Sequence, residues 1–173
     1  MGKIIFILGG ARSGKSAFAI DMAKESRAKR IAYIATCEAK DAEMAKRIAL
    51  HRRTRPKGWR TFEEPCRVSA LAEKEAKRYD VVLIECVTLL VSNLLLNNFN
   101  ERAIMEEAKK MLAALKKARA RAIIVSNEAG LGVVPENRLA RDFRDIAGRV
   151  NQLIAKSSDE VFFMISGIPR RIK

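Results

Sequence analysis

The sequence predicts an α/β fold in which a mostly parallel sheet is covered by helices on both faces. Short apolar runs alternate with longer segments of helical periodicity along the chain. The run at residues 81–84 has no polar member, as is usual for strands buried on both faces of a parallel sheet. A glycine-rich phosphate-binding pattern at residues 9–16 separates the first apolar run from the first helix.

These patterns place the elements in order. Strands are expected at residues 4–8, 30–35, 81–84, 122–125 and 160–165, the last of these being the final strand. Helices are expected at residues 15–26, 41–53, 68–78, 88–96, 101–118 and 138–156. Asp41 caps the second helix and Pro56 enforces its end. The segment with Trp59 and the turn at residues 63–65 is expected to be a loop, as is the glycine-rich segment 127–137. No repeat or linker interrupts this order, so we expect one domain over residues 1–173.

Composition and charge restrict the classes of function. The chain has 173 residues, 49% of them hydrophobic, which excludes a disordered protein. No apolar run approaches the roughly 20 residues of a membrane-spanning helix. The net charge of +14 favours polyanionic partners, but the basic residues are spread along helices and only seven Phe, two Tyr and one Trp could stack on bases. We expect phosphorylated small molecules as substrates, no nucleic-acid partner and no membrane span.

The cysteines and the N-terminus predict a location. Cys37, Cys66 and Cys86 are odd in number and form no C-x-x-C pair, which argues against a disulfide framework or a zinc site. The first apolar stretch is short and leads directly into the phosphate-binding pattern, so we expect no signal peptide. A cytoplasmic location is therefore predicted.

The phosphate-binding pattern G-x-x-x-x-G-K-[ST] follows an apolar run and opens a helix, which is the context that it requires. Its members are Gly9, Gly10, Ala11, Arg12, Ser13, Gly14, Lys15 and Ser16. Glycines let backbone N–H groups converge on phosphate oxygens, and the helix presents its positive end. Lys15 can reach the β- and γ-phosphates, and the Ser16 hydroxyl can bind the accompanying Mg²⁺. The chain is expected to bind a nucleoside triphosphate in a P-loop NTPase fold of the RecA-like kind.

Glu85 directly follows the apolar run at residues 81–84. In phosphate-loop proteins an acidic residue at such a strand end faces the magnesium ion or its waters. The alternative is a carboxylate that only caps the next helix, near Thr88. The position beside the phosphate loop favours the magnesium role.

His51 is the chain's one histidine, and arginines surround it in sequence. Met44, Ile48 and His51 share a helix face by their spacing, which is typical of a half-buried structural histidine. The arginines of segment 52–55 could instead bind phosphate beside a neutral, nucleophilic imidazole. These residues alone leave both roles open.

Further motifs cover the rest of the chain. Two of them, His51-x-x-x-Arg55-Pro56 and Phe143-Arg144-Asp145-x-x-Gly148-Arg149-x-Asn151-Gln152, are absent from phosphate-loop proteins in general. The others are Tyr33-Ile34-Ala35-Thr36, Asp41-x-Glu43-Met44, Trp59-Arg60-Thr61, Glu85-Cys86-x-Thr88, Ser92-Asn93-Leu94-Leu95, Ser126-Asn127-Glu128-x-Gly130-x-Gly132-x-Val134-Pro135, Asp159-Glu160-Val161 and Gly167-Ile168-Pro169. From residue 4 to the C-terminus, these motifs resemble the bifunctional adenosylcobinamide kinase/adenosylcobinamide-phosphate guanylyltransferases of cobalamin biosynthesis.

The resemblance implies a two-step enzyme. ATP or GTP phosphorylates the aminopropanol hydroxyl of adenosylcobinamide, and GTP then transfers GMP to that phosphate, giving adenosylcobinamide-GDP and pyrophosphate. The histidine aligned with His51 carries GMP as a covalent intermediate, and Lys15 serves the phosphate loop. The implied partners are adenosylcobinamide, its phosphate, and GTP or ATP with Mg²⁺. The family also implies a homotrimer.

By the same resemblance, further residues line the nucleotide site beside the phosphate loop. These are Ala35, Thr36, Arg52, Arg53, Thr54, Arg55, Glu63 and Glu85. Either Glu63 or Glu85 could accept hydrogen bonds from the guanine N1–H and amino groups, which would favour GTP over ATP. For Glu85 this role competes with binding magnesium together with Ser16, and both roles stay open.

Two other classes of function fit part of the sequence. A P-loop small-molecule or nucleoside kinase without guanylyl transfer would leave His51 in a structural role. A nucleic-acid-stimulated RecA-like ATPase would use the +14 charge. Covalent labelling by α-labelled GTP distinguishes the first class, and nucleic-acid-dependent hydrolysis with a steep salt dependence would identify the second.

Overall fold

A computed structural model describes residues 2–38, 42, 46, 48, 49, 52, 53 and 55–173. The strands in these ranges are β1 (Ile4–Gly9), β2 (Ile31–Ala35), β3 (Arg60–Glu63), β4 (Val81–Glu85), β5 (Arg121–Asn127), β6 (Glu160–Ile165) and β7 (Ile168–Arg171). They form a 7-stranded sheet in the order β3-β2-β4-β5-β1-β6-β7. Every neighbouring pair is parallel except β6 and β7, which are antiparallel. This order confirms the predicted mostly parallel sheet.

Helices cover both faces of the sheet, as the sequence predicts. They are α1 (Lys15–Glu25), α2 (Val68–Glu75) with a 3₁₀ turn at Ala76–Arg78, α3 (Val87–Leu96), α4 (Glu101–Lys117) and α5 (Arg138–Ser157). Successive side chains of a strand point to opposite faces. Ile4 and Phe6 of β1 therefore pack with α2 to α5, whereas Ile5 and Ile7 pack with α1 on the other face.

Local sequence explains where the two longest helices begin and which side they bury. The Asn100 side chain accepts a hydrogen bond from the Ala103 N–H at 2.9 Å, and Asn137 caps α5 in the same way. In α5, Ile146, Val150 and Ile154 recur every four residues and are all buried. This spacing turns one apolar stripe toward the sheet and leaves the charged residues on the solvent side.

Two predictions at the sheet edges were wrong. Residues 60–63, expected in a loop, form β3, and β6 is not the final strand, because β7 follows it. Both missed strands are short edge strands that lack a buried apolar run, which removes the pattern on which strand prediction depends. A two-residue turn joins β6 to β7, and its residues Ser166 and Gly167 both have positive φ, as in a type I′ hairpin.

The expected helix 41–53 lies largely outside the described residues. The residues of it that are described and helical are Ala42, Lys46, Ile48, Ala49, Arg52 and Arg53. The remaining expected helices agree with the structure to within one or two residues at each end.

The parallel strands bring several predicted site residues to one edge of the sheet. Gly9 ends β1, and Glu85 ends β4. Ala35, at the end of β2, is in register with Glu63 on one side and with Glu85 on the other. The two carboxylates therefore belong to the same face, with the small Ala35 side chain between them. Ligand sites of open α/β sheets lie at this carboxyl edge.

Candidate active site

The phosphate loop takes its shape from glycines where no side chain fits. A Cβ atom at Gly9 would lie 2.7 Å from the Met164 carbonyl oxygen and 2.9 Å from the Ser13 hydroxyl. Gly14 has φ +93°, a left-handed conformation that other residues rarely adopt. Both glycines are therefore required for the loop to curl between β1 and α1.

Lys15 is turned into the loop rather than toward solvent. Its side chain is only 7% exposed, and Nζ donates to the Gly10 carbonyl and lies 3.4 Å from the Ser13 hydroxyl. Burial lowers the pKa of Lys15, an effect that the nearby Cys86 and Glu85 oppose. An ammonium held in this position faces loop atoms that in phosphate-loop proteins surround the phosphates.

The first turn of α1 has no side-chain cap, since Gly14 precedes it. Its N–H groups therefore remain available to an anion, and they carry the positive end of the helix. Two backbone hydrogen bonds hold the loop from outside: Gly167 N–H donates to the Ser13 carbonyl at 3.0 Å, and Glu128 N–H donates to the Gly9 carbonyl at 3.0 Å. The β6–β7 turn and the end of β5 thus support the loop.

Glu85 connects the loop to the centre of the sheet. Its Oε1 accepts a hydrogen bond from the Ser16 hydroxyl, and its Oε2 accepts one from the Tyr33 hydroxyl. Burial, together with the charge and hydrogen bond of Glu85, raises the pKa of Tyr33, so this hydroxyl stays protonated and donates. Ser16 and Glu85, the two residues that the sequence analysis assigns to magnesium, are thus in contact with each other.

Arg55 lies on the same cluster from the other side. Its guanidinium carbon is 4.2 Å from the centre of the Tyr33 ring, within the range of a cation–π contact. The Arg55 Nε is buried and has no hydrogen-bond partner among the described residues. A partly exposed guanidinium with an unused donor can bind an anion.

A groove of about 370 Å³ opens beside Arg55. Its lining is Arg52, Arg55, Pro56, Lys57, Trp59, Thr61 and Glu63. Arg52 and Glu63 form an ion pair across it. The groove thus combines three cations, one carboxylate and one indole ring, a set suited to a ligand with an anionic and an aromatic part.

Thr36, which the resemblance assigns to the nucleotide site, directly follows the end of β2. Its side chain is completely buried, and its hydroxyl both donates to the Cys86 carbonyl and accepts from the Cys86 N–H, each at 2.8 Å. Asn93 donates to the Thr36 carbonyl at 2.7 Å. The Thr36 hydroxyl thus links the ends of β2 and β4 at the carboxyl edge of the sheet.

The other predicted site residues fall into four groups. Gly10, Ala11 and Arg12 lie in the phosphate loop, and Arg53 is an exposed helical residue. Ala35 is buried between the two carboxylate positions. His51 and Thr54 lie outside the described residues.

Sequence reasoning overlooked two residues that the structure puts in contact with this cluster. Tyr33 was not expected in the site, although a tyrosine in a buried strand needs a partner for its hydroxyl. Gly167 was not expected there either, although the Ser-Gly pair is a turn signal.

The three cysteines are thiols rather than disulfides. All three are described, and none of them forms a disulfide. Burial raises the pKa of Cys37 and of Cys86, which keeps both as neutral thiols.

Metal and membrane features were also searched in the described ranges. There, no cluster of three or more His, Cys, Asp or Glu side chains could hold a metal ion. A magnesium ion here would take Ser16, Glu85 and nucleotide phosphates, which is how Mg²⁺ is commonly bound with nucleotides. No helix of the described ranges is both long and apolar enough to cross a membrane.

The fold has a structural relative of distant sequence. Flagellar accessory protein FlaH from Methanocaldococcus jannaschii superposes with a TM-score of 0.56 over 99% of this chain and 78% of that chain, at 16% identity. This likeness supports the phosphate-loop α/β fold and says nothing of substrates.

Sequence relatives are much closer. The family model described as cobinamide kinase / cobinamide phosphate guanyltransferase (CobU) matches residues 5–172. The bifunctional adenosylcobalamin biosynthesis protein CobU of Escherichia coli K12 is 43% identical, covering 98% of this chain and 99% of that protein. CobU of Salmonella typhimurium LT2 is 44% identical over the same shares, and CobP of Pseudomonas aeruginosa is 45% identical over 96% of this chain and 95% of that protein. The chain therefore belongs to the cobinamide kinase / cobinamide phosphate guanyltransferase family.

Proposed function

We propose that this protein phosphorylates adenosylcobinamide and then guanylylates the product. In the first step a substrate hydroxyl attacks the γ-phosphorus of ATP or GTP, and a nucleoside diphosphate leaves. In the second, GMP passes from GTP to His51 with release of pyrophosphate, and then to the substrate phosphate, giving adenosylcobinamide-GDP. The observation that carries the proposal is the family match over residues 5–172, in a chain where Lys15, Ser16 and Glu85 meet at one edge.

The phosphate loop is assigned to the triphosphate. Loop N–H groups and the uncapped start of α1 would bind the phosphate oxygens, and the Lys15 ammonium would share the charge of the β- and γ-phosphates. Its present acceptors, the Gly10 carbonyl and the Ser13 hydroxyl, are weak partners for an ammonium. Phosphate oxygens would replace them with charge-assisted hydrogen bonds.

Ser16 and Glu85 are assigned to magnesium. A hydroxyl and a carboxylate that already share a hydrogen bond form an oxygen donor set of the kind that Mg²⁺ accepts. When bound, the ion would neutralise charge on the transferring phosphoryl group. The contact with Ser16 favours magnesium over guanine as the partner of Glu85, because it directs the carboxylate toward the phosphate loop.

The guanylyl step is assigned to His51 and the following arginines. A histidine nucleophile divides a difficult transfer into two easier ones. Arg52, Arg53, Thr54 and Arg55 would stabilise the charge that develops on the α-phosphate. The unused Nε of Arg55 and the neighbouring cations of the groove support this assignment.

Glu63 is assigned to guanine recognition. Its carboxylate lines the groove together with Trp59. In the sheet, Ala35 of β2 lies between Glu63 and Glu85. A carboxylate accepts hydrogen bonds from guanine N1–H and its amino group, whereas adenine offers no such pair of adjacent donors because its N1 is an acceptor. Ala35 would provide space between the two carboxylates, and Thr36 would hold the strand ends that carry them.

Several broader expectations complete the proposal. We propose that residues 1–173 act as a single nucleotide-binding domain, in the cytoplasm and as a homotrimer. The continuous sheet supports the single domain, and the family resemblance is the basis for the trimer. Nucleic acid has no part in this function.

The experiment follows both products. Purified protein is incubated with adenosylcobinamide, Mg²⁺ and ATP, then with GTP, and the corrinoid is analysed by mass spectrometry. We expect a phosphate adduct in the first incubation and a GDP adduct in the second. A phosphate adduct that never accepts GMP would indicate the kinase-only class, and nucleotide hydrolysis that requires added DNA or RNA would indicate the ATPase class.

A further inference from the structure

Tyr33 is a buried residue that contacts both Glu85, beside the phosphate loop, and Arg55, beside the groove. It lies in β2 and is 2% exposed, in the core layer that α1 covers. Its ring and its hydroxyl each contact a different functional residue, Arg55 and Glu85. A core tyrosine with two such contacts does more than fill space.

The hydrogen bond from the Tyr33 hydroxyl fixes the orientation of the Glu85 carboxylate. Glu85 accepts from Ser16 at Oε1 and from Tyr33 at Oε2, so both of its oxygens are held. Without Tyr33, rotation about the terminal torsion of Glu85 would meet little resistance, because such torsions are broad. The Tyr33 hydroxyl therefore keeps one Glu85 oxygen directed at Ser16.

The Tyr33 ring contacts Arg55 and so holds this arginine near Glu85. The Arg55 guanidinium carbon lies over the Tyr33 ring, 4.2 Å from its centre. This cation–π contact joins Arg55 to β2, the strand that pairs with the Glu85 strand β4.

We propose that Tyr33 is a positioning residue for phosphoryl transfer, which holds the Glu85 carboxylate against Ser16 while its ring holds Arg55 over the same cluster. The proposal rests on the proposed function for the reaction that it positions. Tyr33 touches neither the phosphates nor the substrate in this scheme. It acts through Glu85, as residues that orient metal ligands do.

Phenylalanine at this position would separate the two contacts. Tyr33→Phe keeps the ring under Arg55 and removes the hydroxyl that donates to Glu85. Mutation of a residue that orients a metal ligand typically lowers metal affinity or activity about 10- to 100-fold. We therefore expect kcat of the kinase step to fall about 10-fold, whereas KM for the nucleotide should stay within about threefold of the wild-type value. Transfer of GMP to His51 should stay within about threefold, because the ring is retained.

Tyr79→Phe is the matched control. The chain has two tyrosines, and Tyr79 packs edge-on against Phe62 with ring centres 6.0 Å apart, outside the site. This substitution removes the same atom from a residue of the same type. Both kinase and guanylyl-transfer rates should be unchanged in it.

A double-mutant cycle tests whether Tyr33 acts through Glu85. In the Glu85→Gln background, Tyr33→Phe should reduce kcat less than twofold further, because residues that work through one another are not additive. A readout without turnover is the Mg²⁺ concentration for half-maximal binding of a fluorescent ATP analogue. Tyr33→Phe should raise that concentration about 10-fold, and Tyr79→Phe should leave it unchanged.

The outcomes are decisive in both directions. An unchanged kcat and an unchanged Mg²⁺ requirement in folded Tyr33→Phe would overturn the proposal, as would full additivity with Glu85→Gln or equal losses in both transfer steps. If the wild-type protein phosphorylates no cobinamide, the proposed function fails, but the Mg²⁺ titration still tests Tyr33. The two failures are thereby distinguished.

Discussion

The Ser16 hydroxyl donates a hydrogen bond to Glu85, a residue 69 positions later in the chain. Ser16 lies in the first turn of α1, which follows β1, and Glu85 ends β4. In the sheet, β5 lies between β4 and β1. The contact brings the phosphate-loop hydroxyl and a strand-end carboxylate to one point. It is the reason for assigning Glu85 to magnesium and Glu63 to guanine.

Lys15→Ala tests the phosphate loop. We expect kinase turnover to be abolished and triphosphate affinity to fall at least about 10-fold, because the ammonium that compensates phosphate charge is lost. Lys24→Ala is a suitable control, since Lys24 lies on the same helix and, among the described residues, forms an exposed ion pair with Asp21. Titration calorimetry and turnover measure both effects, and full turnover in folded Lys15→Ala would remove the loop from the mechanism.

Substitutions at the two carboxylates test their separate roles. Glu85→Gln keeps the size but removes the charge and replaces one acceptor oxygen with an NH2 donor, so kinase kcat should fall about 100-fold. Glu63→Gln should leave Mg²⁺ dependence intact and lower the preference for GTP over ATP about 10-fold, because an amide oxygen accepts more weakly than a carboxylate. If Glu85→Gln instead changes only the GTP preference, the two assignments must be exchanged.

Thr36→Val tests whether Thr36 is a support rather than a ligand contact. The substitution keeps the shape and leaves the buried Cys86 N–H without its acceptor, whereas the Cys86 carbonyl still accepts from the Leu89 and Leu90 N–H groups. The free energy of unfolding should fall by about 1–3 kcal/mol. Urea unfolding measures this, with Thr36→Ser as the control that keeps the hydroxyl. An unchanged stability with a weaker affinity for GTP would mean that the hydroxyl binds nucleotide.

Much of the fold could be predicted because its central strands are unbroken apolar runs. The edge strands β3 and β7 could not, since exposed and short strands lack that pattern. The phosphate loop and Glu85 follow from a motif and a strand end, both local in sequence. The contacts of Tyr33 with Glu85 and Arg55 depend on how β2 and β4 pair, which only the three-dimensional structure provides.

His51→Ala should separate the two activities. Guanylyl transfer should fall by several orders of magnitude, because that step requires a nucleophile to accept GMP. Phosphorylation should remain within about 10-fold, since there the substrate hydroxyl attacks the γ-phosphate and only positioning beside segment 52–55 is disturbed. Each step is assayed separately after circular dichroism shows that the variant is folded. Equal losses in both steps would mean that His51 has a shared or structural role.

The central claim is that His51 carries GMP, and the direct measurement is covalent labelling. The protein is incubated with Mg²⁺ and GTP labelled at the α-phosphate, denatured, and digested to map the label. We predict label on His51 that is lost in acid and stable in alkali, as expected of a phosphoramidate, and none from γ-labelled GTP. An alkali-labile label, or no label from a preparation that makes adenosylcobinamide-GDP, would contradict the covalent mechanism.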